Sequence, residues 1–303
     1  MNDYKHLDPD VLPQMELPKP LRALHMLAER FFEHERLVPM LEYAEFLHDM
    51  PRQTRASGLI VSGTPGAGKT MLAQALLRRY PPTPASKSQP QHLSVAGISM
   101  TGAREAKTLY NRLLERMGVP GVCQYAGSDR ERMVLKVCRA AELRLLIVDE
   151  LQDVLTSTDR QQRIALDTIK FLMNELQIPI LALGTAKAPQ AMAVDEHLRA
   201  RFQHMELPVW KDDKYLRSLL RTLERRLPLR EPSMLATNAM VDEVLKVSGG
   251  VLNLVMRSIT YAAASAVESG AEQITAEGIR LALLRPPVAV LRAATEAETR
   301  KAA

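Results

Sequence analysis

The apolar positions of this chain change period once, near Trp210. Between residues 59 and 209, short continuous apolar runs alternate with longer stretches in which apolar side chains recur every three or four positions; beyond Trp210 only the helical period remains. The runs at 59–61, 93–98, 143–148 and 178–183 predict strands, with a short extended run at 205–209, and the periodic stretches 71–80, 101–117 and 160–176 predict helices. Runs apolar on both faces belong inside a parallel sheet covered by helices, so 51–210 is expected to be an α/β core. The later helices, expected at 212–226, 233–247, 252–268 and 275–284, are broken at Pro228, Gly249-Gly250 and Gly270 and make a small all-helical domain over 211–284, with Thr275 capping the last. Residues 285–303, with Pro286-Pro287 and an alanine-rich charged end, are expected to be a frayed helix or tail. Ahead of the core, residues 1–50 form an N-terminal arm with flanking helices at 22–34 and 40–47, expected to cover the sheet edge. Residues 1–20 carry Pro9, Pro13, Pro18 and Pro20 and are not expected to run as a helix, because each proline removes a donor and restricts its predecessor. They are either an arm packed on its own core or a recognition arm.

One loop in this pattern carries specific chemistry. Gly63-Thr64-Pro65-Gly66-Ala67-Gly68-Lys69-Thr70 follows the first strand and opens the next helix, the context that a phosphate-binding loop of the form G-x-x-x-x-G-K-[ST] requires. Its glycines let the backbone turn so that N–H groups converge on a phosphate at the positive end of the helix. Lys69 reaches the β- and γ-phosphates and the Thr70 hydroxyl holds Mg²⁺, so ATP with Mg²⁺ is the expected ligand.

A second constellation ends the run Leu145-Leu146-Ile147-Val148 with Asp149-Glu150. Carboxylates at the carboxyl end of an inner strand lie on the side where such sheets place ligands. Asp149 is the expected Mg²⁺-organising acid and Glu150 the base that activates water, since hydrolysis needs an anion not committed to the metal. Gln152, Asp153 and Thr156 follow at the rim. Thr185, after the strand at 178–183, either meets the attacking water or γ-phosphate or caps the helix beginning near Lys187. Arg201, with Arg199 second, is the candidate for an arginine presented to a neighbouring subunit's γ-phosphate, a surface salt bridge being the other reading.

Composition changes this picture little. The chain's 303 residues are 46% hydrophobic, enough for a substantial core, and the two cysteines, Cys123 and Cys138, are too few for a disulfide scaffold or a metal site. No long apolar stretch or signal-peptide core is present, so a cytoplasmic protein bound to no membrane is expected. A net charge of +5 permits a polyanionic partner. Thr101 is expected to cap the helix at 101–117, whose Arg104, Lys107 and Arg112 face solvent. Arg217, Arg221 and Arg225 recur every four residues as a basic stripe with Arg226 beside it, either a solvated face or a DNA surface. Arg257 is a candidate for nucleotide contact from the helical domain.

Together these residues resemble the AAA+ ATPases of DNA transposition, most closely the TniB group of mercury-resistance-type transposons, over nearly the whole chain. The resemblance rests on the arm at 12–18, the phosphate loop, Leu145 to Glu150, Leu183-Gly184-Thr185, and Leu198-Arg199-Ala200-Arg201-Phe202 before an all-helical lid. It implies an AAA+ P-loop ATPase with a parallel-sheet core, in which Lys69, Thr70, Asp149 and Glu150 form the nucleotide site, Thr185 the sensor and Arg201 the finger. It implies ATP-dependent assembly into a ring or helical oligomer on double-stranded DNA and recruitment of a DDE-type transposase, and it makes the 101–107 region a candidate for DNA backbone contact. Where many AAA+ proteins carry an arginine three residues after the second lid glycine, this chain has Asn253, with Arg257 the nearest basic residue. A protein-remodelling ATPase that works without DNA is the alternative, as is a switch that binds ATP and barely hydrolyses it; the remodelling reading needs a pore aromatic, for which only Tyr110 is available.

Overall fold

All five segments expected as strands form strands, and they lie parallel in one sheet. They are β1 (Gly58–Gly63), β2 (Val95–Ser99), β3 (Leu145–Asp149), β4 (Ile180–Gly184) and β5 (Phe202–Leu207), in the order β2-β3-β4-β1-β5. The inner strands β1 and β4 are buried throughout, as their unbroken apolar runs require, whereas β5 lies at an edge and exposes Gln203, His204 and Glu206. β5 starts three residues earlier than the apolar run at 205–209, because its pairing with β1 begins at Gly58 opposite Phe202.

The computed structural model describes residues 4–28, 33–84, 91–103, 105–120, 127–290 and 292. In chain order its helices are α1 (Leu12–Met15), α2 (Lys19–Leu27), α3 (Val38–Asp49), α4 (Lys69–Arg79), α5 (Ala106–Arg116), α6 (Gly127–Ala140), α7 (Asp159–Leu176), α8 (Ala188–Met192), α9 (Glu196–Arg199), α10 (Lys214–Arg226), α11 (Asn238–Ser248), α12 (Leu252–Ser269) and α13 (Ala276–Ala282), with 3-10 turns at Pro9–Val11 and Leu151–Thr156. Among the described residues none is long and apolar enough to cross a membrane.

The chain divides into two units, residues 35–208 and residues 1–34 with 209–303. In the sheet unit, Leu109, Leu113, Val134, Cys138, Leu166, Ile169 and Met173 from α5, α6 and α7 pack with Ala96, Leu146, Val148 and Ile180 of the sheet in one buried cluster. Burial pushes the Cys138 thiol up to about 12, which leaves it an inert core group. Thr101 does not cap α5. The helix starts five residues later, with Glu105 in the cap position and extended backbone, while Thr101 sits in the preceding turn, its backbone N–H donated to Ser99 Oγ at 3.1 Å. Helix α6 lies in a stretch to which the sequence reading assigned no element.

The helix expected at 22–34 to cover the sheet edge belongs to the other unit, where α2 (Lys19–Leu27) packs against α12, as do α11 and α13. Residues 9–15, expected to be non-helical, form a 3-10 turn and a short helix, and α2 also starts within the proline segment. The prolines sit in the first turn of each piece, where their missing N–H has no intrahelical partner to lose. The segment is packed on its own unit: Leu7 and Val11 are buried, Asp8 N–H donates to Arg225 O at 2.9 Å, and the Asp8 carboxylate pairs with Arg225 at 2.7 Å. Deeper in, Arg22 of α2 is buried in an ion pair with Glu272. Thr275 caps α13 as expected, accepting from Gly278 N–H at 3.0 Å.

Candidate nucleotide site

Three adjacent strands, β3, β4 and β1, end on the same side of the sheet, and each delivers its polar residues there. The register sets Val148 opposite Ala182 and Ser62 opposite Gly184, so Thr185 emerges level with Gly63 at the start of the phosphate loop and Asp149 two residues short of that level. The loop turns through Gly66 and Gly68, at φ of 78° and 106°, values that side-chain-bearing residues rarely adopt. It closes with Ala67 N–H donated to Thr64 O at 3.0 Å, and α4 begins at once with Lys69. Thr64, Pro65, Gly66 and Thr70 are exposed on the cradle, while Gly63 and Ala67 are buried beneath it.

Lys69 is buried, and its ammonium donates to Gly63 O at 2.9 Å and Thr64 O at 3.0 Å. Burial pushes its pKa below the ordinary lysine range, an effect that Glu150 and Asp149 partly offset. Burial raises the Asp149 carboxyl above its usual range and the neighbouring Glu150 charge adds to this, whereas the hydrogen bond from Glu150 N–H at 2.8 Å and the Lys69 charge pull it back. A divalent cation beside the carboxylates would relieve the burden on Asp149, and an anionic phosphate beside Lys69 would relieve the other. The donor set fits Mg²⁺, with the Thr70 hydroxyl and the Asp149 carboxylate as hard oxygens and the rest of an octahedron left to phosphate and water. Among the described residues no cluster of three or more His, Cys, Asp or Glu competes as a metal site.

Glu150 adopts a left-handed backbone, φ 55°, at the turn from β3 into the 3-10 segment. A non-glycine residue in that region is uncommon. Gln152 Nε2 donates to the Glu150 carboxylate, and Gln152 Oε1 accepts Thr185 N–H at 2.9 Å. Thr185 itself is half-buried, and its hydroxyl accepts weakly from Lys187 N–H at 3.4 Å. Thr156, expected at the rim, turns its hydroxyl back to Asp153 O at 2.7 Å.

Arg201 lies elsewhere. Its carbonyl accepts Gly58 N–H at 2.9 Å, at the amino end of β1, and its guanidinium donates to Asn174 Oδ1 of α7 at 2.8 Å. The phosphate loop opens at the other end of the same strand, roughly 17 Å further along.

The remaining candidates have varied surroundings. Arg104 lies outside the described residues. Lys107 is exposed and paired with Glu105 at 2.8 Å. Arg112 is half-buried, its guanidinium donating to the carbonyls of Ser99 and Thr101, so it fastens the turn before α5 rather than facing solvent. Of the basic stripe, Arg217 donates to Asp212, Ala236 O and Asn238, and Arg225 is paired with Asp8, leaving Arg221 as the exposed middle member. The hydrogen bond from Arg217 draws the Asp212 carboxyl below its usual range. Arg257 is exposed and lies over the Tyr261 ring, 5.3 Å from its centroid.

A parallel sheet in this strand order, with a phosphate loop after β1, an acid pair after β3 and a helical domain following, defines an AAA+ P-loop ATPase fold. The model of the bacterial TniB protein family matches residues 22–212, more than half of the chain, and the chain belongs to that family. Solved structures share the fold. The ORC2 protein of Aeropyrum pernix, in ADPNP-ADP complexes, superposes with a TM-score of 0.65 at 18% identity, covering 86% of this chain and 71% of that one. The ORC1 protein of the same organism, in complex with DNA, gives 0.62 at 15%, covering 86% and 68%. Cdc6p of Pyrobaculum aerophilum gives 0.58 at 16%, covering 84% and 67%. At these identities the likeness is one of fold. No curated protein matches the chain.

Proposed function

We propose that this chain is an ATP-dependent regulator and adaptor of DNA transposition, which assembles on target duplex DNA, recruits a DDE-type transposase, and uses hydrolysis to limit the lifetime of the assembly. The observation that carries the reading is the convergence of Lys69, Asp149, Glu150 and Thr185 at one end of the sheet in a chain of the TniB family. ATP enters with its phosphates on the N–H groups of residues 63–70, and Lys69 exchanges its carbonyl partners for phosphate oxygens. Thr70 and Asp149 would hold Mg²⁺, which would supply neutralising charge to the phosphates. Glu150 takes the proton of the attacking water, and Thr185 helps to orient that water.

Arg201 serves in trans on this reading. Its position at the amino end of the sheet puts it far from its own chain's phosphate loop, which suits an arginine that completes a neighbour's site. Hydrolysis is then slow in the isolated chain and depends on assembly. The surface of net positive charge meets DNA phosphates rather than base edges, so target choice is weakly sequence-dependent. No second acidic constellation for strand transfer was found in the sequence, which leaves cutting and joining to the transposase.

Electron microscopy of the purified protein, with and without duplex DNA and a non-hydrolysable ATP analogue, tests the proposal. Ordered oligomers that form along duplex DNA when the analogue is present are expected. Protein-only rings indifferent to DNA would instead favour a remodelling ATPase.

A further inference from the structure

A glutamine side chain joins the ends of β3, which carries the acid pair, and β4. Gln152 follows Glu150 by two residues in the 3-10 turn, and its amide uses both of its ends: Nε2 donates to the Glu150 carboxylate and Oε1 accepts Thr185 N–H at 2.9 Å. A further contact from Nε2 reaches Asp153 Oδ1 at 3.4 Å. The neutral amide is suited to this bridge, because it offers a donor to a carboxylate and an acceptor to a backbone N–H at once. The seat is built to admit it. A Cβ on Gly184 would lie 2.5 Å from Gln152 Oε1 and 2.7 Å from the Ala188 Cβ, so only glycine lets the amide approach the end of β4. Glu150, in its left-handed backbone, accepts from that amide.

We infer that Gln152 is a positioning residue for hydrolysis, which ties the Glu150 carboxylate to the Thr185 segment so that the base and the end of β4 move as one unit. The inference rests on the proposed hydrolysis of ATP by this site. The bridge joins the ends of the paired strands β3 and β4 and takes no part in the hydrogen bonds from Ala67 N–H and the Lys69 ammonium that close the phosphate loop. Its loss therefore reaches turnover and leaves nucleotide affinity alone. A displacement of about 1 Å in a catalytic group can cost on the order of 100-fold in rate, so loss of the bridge is expected to lower kcat by about 10- to 100-fold.

Two substitutions separate positioning from simple support. Gln152→Ala removes both ends of the bridge. Gln152→Glu keeps the shape and the acceptor for Thr185 N–H but replaces the donor facing Glu150 with a second negative charge. If Gln152 acts by holding Glu150, both variants lose kcat to a similar or greater extent for Gln152→Glu, while the Kd for a fluorescent ATP analogue and the thermal midpoint stay within about twofold and a few degrees of the unmodified protein. Gly184→Ala, whose added Cβ displaces the amide and also meets the Ala188 Cβ, is expected to lower kcat at least as far as Gln152→Ala.

Steady-state phosphate release on the full chain, assembled with duplex DNA, supplies kcat and KM, with analogue titration and thermal unfolding as companions. Wild-type turnover in Gln152→Glu, raised turnover in Gln152→Ala, or loss confined to KM overturns the positioning role. An unmodified protein that binds the analogue yet releases no phosphate overturns the hydrolysis reading instead, so the two failures are distinct.

Discussion

At the strand ends of the sheet unit, Lys69 donates to backbone carbonyls that phosphate oxygens can replace, Asp149 is held above its usual range by burial, and Glu150 is kept in a left-handed turn. In the helical unit the charged side chains are spent on each other. Arg22 is buried against Glu272, Arg280 grips Glu243 at 2.9 Å, Arg217 holds Asp212 at 2.7 Å, and Arg225 pairs with Asp8 at 2.7 Å. The first arrangement leaves charges under-compensated and ready for a ligand; the second neutralises them internally. A charged residue therefore points to function here when its partners are exchangeable, and to architecture when they are fixed. Both units contain arginine and lysine at helical spacing, so spacing alone does not make the distinction.

The contrast predicts opposite consequences for substitution. Glu150→Gln is expected to lower ATP hydrolysis by about 10²- to 10⁴-fold, the range for loss of a general base, with nucleotide binding and thermal stability retained. Lys69→Ala should abolish measurable nucleotide binding and melt close to the unmodified protein. Phosphate release together with equilibrium nucleotide titration checks both, and wild-type turnover in Glu150→Gln would remove that residue from the mechanism.

Arg22→Ala should behave in the reverse way. It leaves Glu272 buried without the partner on α2, a loss of about 3–5 kcal/mol for a broken buried pair, and destabilises the unit in which α2 packs on α12. Chemical denaturation of the full chain reads this as an earlier transition, while nucleotide affinity, measured below that transition, is expected to be unchanged. An Arg22→Ala protein as stable as its parent would show that the fixed pairs are not architectural.

The smallest effect belongs to the basic stripe and sharpens the comparison from within one helix. Arg221→Ala should weaken binding equally on two unrelated duplexes and reduce the slope of log K against log salt by about 1. Arg217→Ala, whose guanidinium is already engaged by Asp212, Ala236 and Asn238, should alter DNA binding less and the melting of α10 more. The reverse ranking, measured by fluorescence anisotropy across a salt series, would mean that internal pairing does not withdraw an arginine from DNA.

The sheet was legible in the sequence because buried parallel strands are written as unbroken apolar runs, and the phosphate loop because glycine, lysine and threonine must stand at fixed spacing for backbone N–H groups to converge. The N-terminal prolines misled: a proline in the first turn of a helix and one that stops a helix look the same until the turn position is known. Helix α6 carries a modest apolar repeat at Val134 and Cys138 after a polar start at 129–132, a weaker pattern than the strands around it. The stripe on α10 was visible, but the partners that tie down two of its three arginines come from Asp8, Ala236 and Asn238, far along the chain. Gln152 stood in view at the rim; its bridge depends on the left-handed turn at Glu150 and on the missing Cβ at Gly184, neither of which has a local sequence signature.

On the proposed function, nucleotide held in the sheet unit governs attachment to DNA. The most direct measurement is fluorescence anisotropy of the unmodified protein on duplex DNA, titrated in a non-hydrolysable ATP analogue and in ADP at the same salt concentration. The account predicts tight, cooperative and sequence-insensitive binding with the analogue, and a weaker, more salt-labile complex with ADP. Equal binding in the two nucleotide states, or no binding by folded, analogue-loaded protein, would contradict it.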